Sequence, residues 1–319
     1  MSSEKKKKTQ FLGVLLLLLT AFIWGVAFVA QSVGMDSVEG FTFSGIRTLL
    51  GAFVLLPIVL FRNNKAKKPL DELQLKAHKS VTKKTIISGM ILGVVFCVAG
   101  NFQQFAFNHS TSGKIAFITA LYMFFVPLFG LFLKKKVPAL TWICVLLGFV
   151  GLFFLCINPN DMTGLNRGDL LAIICSIFFA VHILMIEKFA PHVDGVMLSC
   201  VQFFTSGIIS CVLMFIFENP QISAIKTAIV PILYAGVLSC GIAYTFQIIG
   251  QKYTEATVAS IILSMESVFG VLAGAIILHE ILTGREILGC VIMFIAIILS
   301  QLSELLTSKI RAKKAIAKE

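Results

Sequence analysis

The chain has 319 residues, of which 57% are apolar and only 13% charged. A water-soluble domain carries about 25% charge, so soluble enzymes, disordered regulators and collagen-like chains are excluded. The net charge of +11 sits in clusters at the ends of apolar runs, the pattern of membrane topology and not of nucleic-acid binding. What remains is a polytopic membrane protein.

A helix needs roughly 20 apolar residues to cross the hydrocarbon core. On that rule the sequence predicts an all-α membrane protein with ten spans. β-barrel spans are excluded because the runs are long and do not alternate strictly. A basic N-terminus (1–10) carries Lys5 to Lys8. The first span, 11–33, is too long for the apolar core of a signal peptide, and Trp24 falls near its middle. The second, 41–61, holds Arg47 roughly 9 Å below its outer end at 1.5 Å per residue. A basic, polar connection over 62–84 reads as a solvated linker brushing anionic lipid. Asn101, Gln103 and Gln104 lie in the outer half of the third span, 86–107.

The fourth span, 114–133, starts with Lys114 at its outer lip and has Tyr122 near its middle. The fifth covers 138–157. A connector rich in turn formers, 158–168, divides the spans five and five. The sixth, 169–188, places His182 in its inner half, close to Glu187 and Lys188. The seventh covers 196–217 and includes Gln202. The eighth, 229–250, has Gln247 near its inner end. The ninth, 256–278, contains Glu266, and the tenth covers 286–306, before a basic tail at 307–319.

With the N-terminus inside, 22 of the 27 Lys and Arg fall on the inner side and four on the outer. That split predicts both termini in the cytoplasm of a cell (plasma or inner) membrane. The halves also match each other. Lys134 to Pro138 stands opposite His279 to Thr283, and Thr111 to Ala116 opposite Thr254 to Ala259. Five spans is an odd number, so the second copy is inverted. Inverted repeats put a central cavity near the bilayer midplane.

The runs Ile23-Trp24-Gly25, Gly45-Ile46-Arg47, Gln103-Gln104 and Ile262 to Phe269, followed by His279-Glu280 and Gly289, resemble the drug/metabolite transporter superfamily, EamA type. The likeness spans roughly residues 10–305. It implies two inverted five-helix halves, 11–157 and 169–306, around a central cavity that moves small metabolites, often outward. Two positions depart from the pattern: Ser267 stands where a proline usually follows the span-nine glutamate, and Lys134 to Lys136 replace an acidic residue.

Glu266 lies about 16 Å into its span. A carboxylate there is expensive unless it is paired, hydrated or protonated. It is a proton-coupling group, an anchor for a cationic substrate group, or a protonated helix–helix bond. Arg47 either supports the fold or binds a substrate carboxylate. His182 is a proton relay or a neutral, hydrogen-bonded histidine. Trp24, Asn101, Gln104, Tyr122 and Gln247 are pocket lining or interhelical glue. The eight cysteines read as small buried hydrophobes. Gly89/Gly93 and Gly270/Gly274 permit close helix contact.

No Walker loop or hydrolase motif appears, so neither ATP chemistry, an enzyme nor a cofactor is expected. The sequence points to a secondary transporter working by alternating access, moving a small polar metabolite such as an amino acid, with protons as coupling partner. The alternative is a passive, channel-like or lipid-translocating protein. A monomer and a homodimer both fit.

Overall fold

The computed structural model describes residues 3–66, 72–110, 112–135, 137–157, 166–277 and 283–316. Lys136, His279, Glu280, Thr111, most of the 158–168 connector and the last three residues of the tail lie outside the described residues. Every regular element described is helical. Besides the short helical turns Ala190–His192 and Ile222–Thr227, ten longer segments are described in order: α1 (Ser3–Met35), α2 (Gly40–Ala66), α3 (Glu72–Ala106), α4 (Ser112–Phe132), α5 (Ala139–Cys156), α6 (Arg167–Phe189), α7 (Gly195–Phe217), α8 (Ile229–Gly250), α9 (Ala256–Ile277) and α10 (Gly284–Ile316).

Ten spans are expected; among the described residues, eight helices have the length and hydropathy to cross a membrane. The apolar stretch of α5, Ala139–Leu155, is shorter, about 26 Å at 1.5 Å per residue. The chain is therefore a multi-pass membrane protein. The basic connection expected over 62–84 is in large part helix. The backbone of α2 continues to Ala66, and α3 begins at Glu72. Straight-chain Lys, Gln and Leu favour that continuation.

Neighbour contacts set the direction of each helix. Let the face where α1 begins be the lower face. Gly13 meets Gly250, and Thr20 Oγ1 donates to the Ala243 carbonyl, so α8 descends beside the rising α1. Lys114 pairs with Asp169 and Lys135 with Glu187, so α4 and α6 descend together. Phe96 packs on Phe179 while Gly168 abuts Ala106, so α3 opposes α6. Hence α6 opposes α1, and α7 opposes α2: the second half is inverted.

The packing pairs obey the same two-fold relation. α2 packs on α7, α4 on α9, and α5 on α10, each helix against its counterpart. The α3–α6 and α3–α7 contacts have their images in α8–α1 and α8–α2. Acidic groups pin the central α2–α7 pair at both ends. Glu218 accepts from the backbone of Phe41 and Thr42, each at 2.7 Å. Asp194 caps α7 at Met197 N and pairs with Arg62 at 2.8 Å. Removing the first of these caps with Glu218→Ala is expected to cost about 1–2 kcal/mol. A thermal unfolding scan should show Tm lower by a few degrees with transport retained.

Close approach depends on glycine at two crossings. A Cβ on Gly25 would sit 2.5 Å from Phe269 Cβ and 2.7 Å from the Glu266 carbonyl oxygen. A Cβ on Gly289 would sit 2.6 Å from Leu155 N. These contacts let α1 lie on α9, and α5 on α10, backbone to backbone. Gly89 and Gly93 do the same for α3 against Val201 and Gln202 of α7.

Candidate functional site

Three descending or ascending helices are irregular at mid-depth. α4 breaks at Leu121, between Ser112–Ala120 and Tyr122–Phe132. α9 breaks at Ser264–Met265, between Ala256–Leu263 and Glu266–Ile277. No proline is needed there. Ser260 and Ser264 each turn their hydroxyl onto a carbonyl three residues back, at 2.7 Å, and compete with the helical ladder. The backbone tightens accordingly: Met265 N bonds Ile262 O, and Ser267 N bonds Ser264 O. α8 winds as a π-helix over Tyr234–Ala243, a form concentrated at functional sites.

Tyr122 and Glu266 each open the second piece of a broken helix, so they are counterparts under the two-fold relation. The phenol donates to Glu266 Oε1 at 2.9 Å. The N-terminus of the half-helix and the phenol both favour negative charge on Glu266, while its apolar surroundings oppose it. Discontinuous helices whose half-helix N-termini face a central site are a transporter device.

Around this pair lies a small cavity. Its wall is built at helical spacing from seven helices. α1 supplies Trp24, Ala27, Phe28 and Gln31, one stripe at i, i+3, i+4 and i+7. α2 and α3 contribute Arg47 and Gln103, and α4 contributes Thr119 and Tyr122. Phe179 and Ile183 come from α6, Tyr244 and Gln247 from α8, and Glu266 from α9. Every one of these side chains is buried. Trp24 and Tyr244 are in ring contact, with centroids 4.4 Å apart. Trp24 Nε1 and Gln247 Oε1 have no protein partner.

Arg47 is buried, at 4% exposure. Its Nη1 donates to Gln31 Oε1 at 2.7 Å, and its carbon lies 5.5 Å over the Phe43 ring. Neither snorkelling nor an acid partner is found for it among the described residues.

Five of the eight residues picked from sequence thus share one wall: Trp24, Arg47, Tyr122, Gln247 and Glu266. Three sit elsewhere, and helical geometry says why. His182 is about 100° round α6 from Ile183. It faces α3 and α7, where its Nε2 donates to Gln202 Oε1 at 2.8 Å beside Phe96. Gln104 is one residue round from Gln103 and reaches behind the wall to the Gln31 carbonyl at 3.4 Å. Asn101 is bound in the α3–α7 contact, to Cys97 O at 2.8 Å and Ser210 Oγ at 2.9 Å.

Sequence reasoning missed Gln31, Thr119, Phe179 and Tyr244. Spacing offered a signal for three of them: Gln31 is seven residues from Trp24, Thr119 three before Tyr122, and Tyr244 three before Gln247. Aligning α2 and α7 at Gly40 and Gly195 also sets Gln202 opposite Arg47. The polar positions that mark this layer in one half recur in the other with different chemistry.

Ion pairs brace the cavity at both faces. On the upper face Asp169 holds Lys114 at 2.6 Å and Ser110 Oγ at 2.9 Å. On the lower face Glu187 holds Lys135 and also accepts from Ala256 N at 3.1 Å, tying α6 to the start of α9.

The same architecture occurs in a solved crystal structure, which superimposes on 94% of this chain and 98% of its own with a TM-score of 0.68 at 18% identity. That likeness speaks to the fold alone. An Archaeoglobus fulgidus protein described as an uncharacterized transporter is 27% identical over 90% of this chain and 84% of its own. The uncharacterized transporter YoaV of Bacillus subtilis is 25% identical over 85% of this chain and 90% of its own. YedA of Escherichia coli K12, described as an uncharacterized inner membrane transporter, is 22% identical over 59% of this chain and 56% of its own. The family model for EamA-like transporters matches residues 11–157 and again 166–302. With two copies of that model covering nearly its whole length, this chain belongs to the EamA-like transporter family.

Proposed function

We propose that this transporter is a secondary active exporter of a small polar metabolite, coupled to protons, with its lower face in the cytoplasm of a plasma or inner membrane. The observation that carries the reading is the Tyr122–Glu266 hydrogen bond at the junction of the two broken helices, on the cavity wall. A carboxylate at that depth is stable when protonated, when hydrogen-bonded, or when a cationic group sits on it. A proton entering from outside and a substrate entering from inside compete for the same oxygen atoms. Rocking the two inverted halves about the α4–α9 contact exposes that carboxylate to each side in turn. A substrate drives such a switch only by binding the two states differently.

Efflux from proteoliposomes loaded with a mixed pool of amino acids and related metabolites tests this. The contents released are identified by mass spectrometry, with and without an imposed pH gradient. Selective loss that steepens with the gradient is expected. Selective loss indifferent to the gradient would remove the proton from the scheme, and unselective leakage would replace the transporter by a passive pathway.

A further inference from the structure

Two buried amide oxygens at the floor of the cavity have no donor within the protein. Gln247 lies on the cavity wall, and Gln251 follows one turn below it, just past the end of α8. Gln251 N bonds the Gln247 carbonyl at 2.9 Å. The helical turn therefore runs through both residues and stacks their side chains on one face. They are only 1% and 3% exposed, and Oε1 of each is without a protein partner. A buried oxygen atom left without a donor is costly, and ordered water is the usual remedy.

These amides lead from the cavity to the lower face. Nε2 of Gln251 donates at 3.1 Å to the carbonyl of Ile183, itself on the cavity wall. One turn further down α6 stands Glu187, 24% exposed, which accepts from Lys135 and from Ala256 N. Glu255 acts on Lys135 from the start of α9. At the other end Glu266 has Tyr122, Tyr244 and Cys175 as titratable neighbours. The upward direction is different. Arg47 stands two turns below the start of α2 on the cavity wall, and a fixed guanidinium repels a passing proton. Above it the Lys114–Asp169 pair has its carboxylate fully buried.

We infer that Gln247 and Gln251 hold a file of water that carries protons between Glu266 and the lower face, with its mouth at Glu187. The inference rests on the proton-coupled reading above and adds the route by which the coupling proton leaves. The O–H bond of Glu266 breaks as its proton passes to a water on Gln247. The waters hand one proton on past Gln251 and release one at the rim beside Glu187. Each amide only accepts a hydrogen bond and keeps its own protons. Both side chains are too deeply buried for a metabolite to pass them, so the proton leaves without opening a path for substrate.

The test uses the full-length protein in proteoliposomes loaded with the same mixed pool. Vesicles whose N-terminus faces outward are removed through an N-terminal affinity tag, so the lower face is inside. Two fluxes are read: efflux driven by a pH gradient, and exchange of pool metabolites at equal pH, which needs no net proton release. Gln251→Leu keeps the size of the side chain and removes its acceptor. Gradient-driven efflux should fall roughly tenfold, the weight of one unmet hydrogen bond on the route. It should also stop responding to the pH inside the vesicle at fixed external pH. Exchange and Tm should stay near those of the parent. Gln251→Glu, which restores an accepting oxygen at the same reach, should recover most of the efflux.

Efflux that is unchanged in Gln251→Leu, with its response to internal pH intact, would overturn the route. So would loss of exchange together with efflux that Gln251→Glu fails to restore, the mark of a residue that only supports the fold. Both results appear in the variants alone and leave the transport reading standing. A parent indifferent to the gradient would instead overturn the coupled reading, and the route with it.

Discussion

Glu266→Gln is expected to remove gradient-driven efflux and leave a folded protein. Glutamine has the same shape, and its amide oxygen still accepts from Tyr122, so the α4–α9 junction keeps its hydrogen bond. What it cannot do is gain or lose a proton. Efflux driven by a pH gradient should fall to the level of empty liposomes, while the thermal midpoint stays within a few degrees of the parent. Exchange at equal pH separates two roles. If Glu266 only carries the proton, exchange of substrate for substrate survives in the variant. If it also holds a cationic group of the substrate, exchange falls as well. A variant that still couples flux to the gradient would remove Glu266 from the mechanism.

Gly25→Leu should be the most damaging single change to the architecture. A first side-chain carbon at residue 25 already meets the backbone of α9 at 2.7 Å, at both the Glu266 carbonyl and Gly270 N. Neither atom is the end of a flexible side chain. The helices must part, and overpacking of this kind costs about 3 kcal/mol or more. For a chain of this size that lowers Tm by roughly 5–10 °C. The same wedge displaces Glu266 from Tyr122, so transport fails in whatever protein remains folded. Gly284→Leu is the control: nothing lies within 4 Å of a Cβ there. Measuring Tm and transport for both variants checks the argument, and equal effects would refute it.

Much of the fold is legible in the residues. Long apolar runs announce the helices, and basic clusters mark their ends. The TSGKIA and TEATVA segments reveal that the chain contains its own fold twice. Glu266 and Arg47 stand out because charges are rare in such runs. The residues leave open what side-chain direction decides. His182 and Asn101 are polar and at the right depth, yet they face neighbouring helices. Ser267 stands where a proline would kink the ninth helix; Ser260 and Ser264 break that helix by another route, through their hydroxyls.

The sequence by itself determined that this is a helical membrane protein of repeated halves and which residues carry charge at mid-depth. Tertiary structure alone decided how each helix is rotated about its axis. In a soluble protein an apolar stripe marks the inner face of a helix. Here lipid is as apolar as the protein interior, so both faces of a span read alike. Only packing reveals that Tyr122 meets Glu266, that Gln31 holds Arg47, and that those two charges share a cavity without touching.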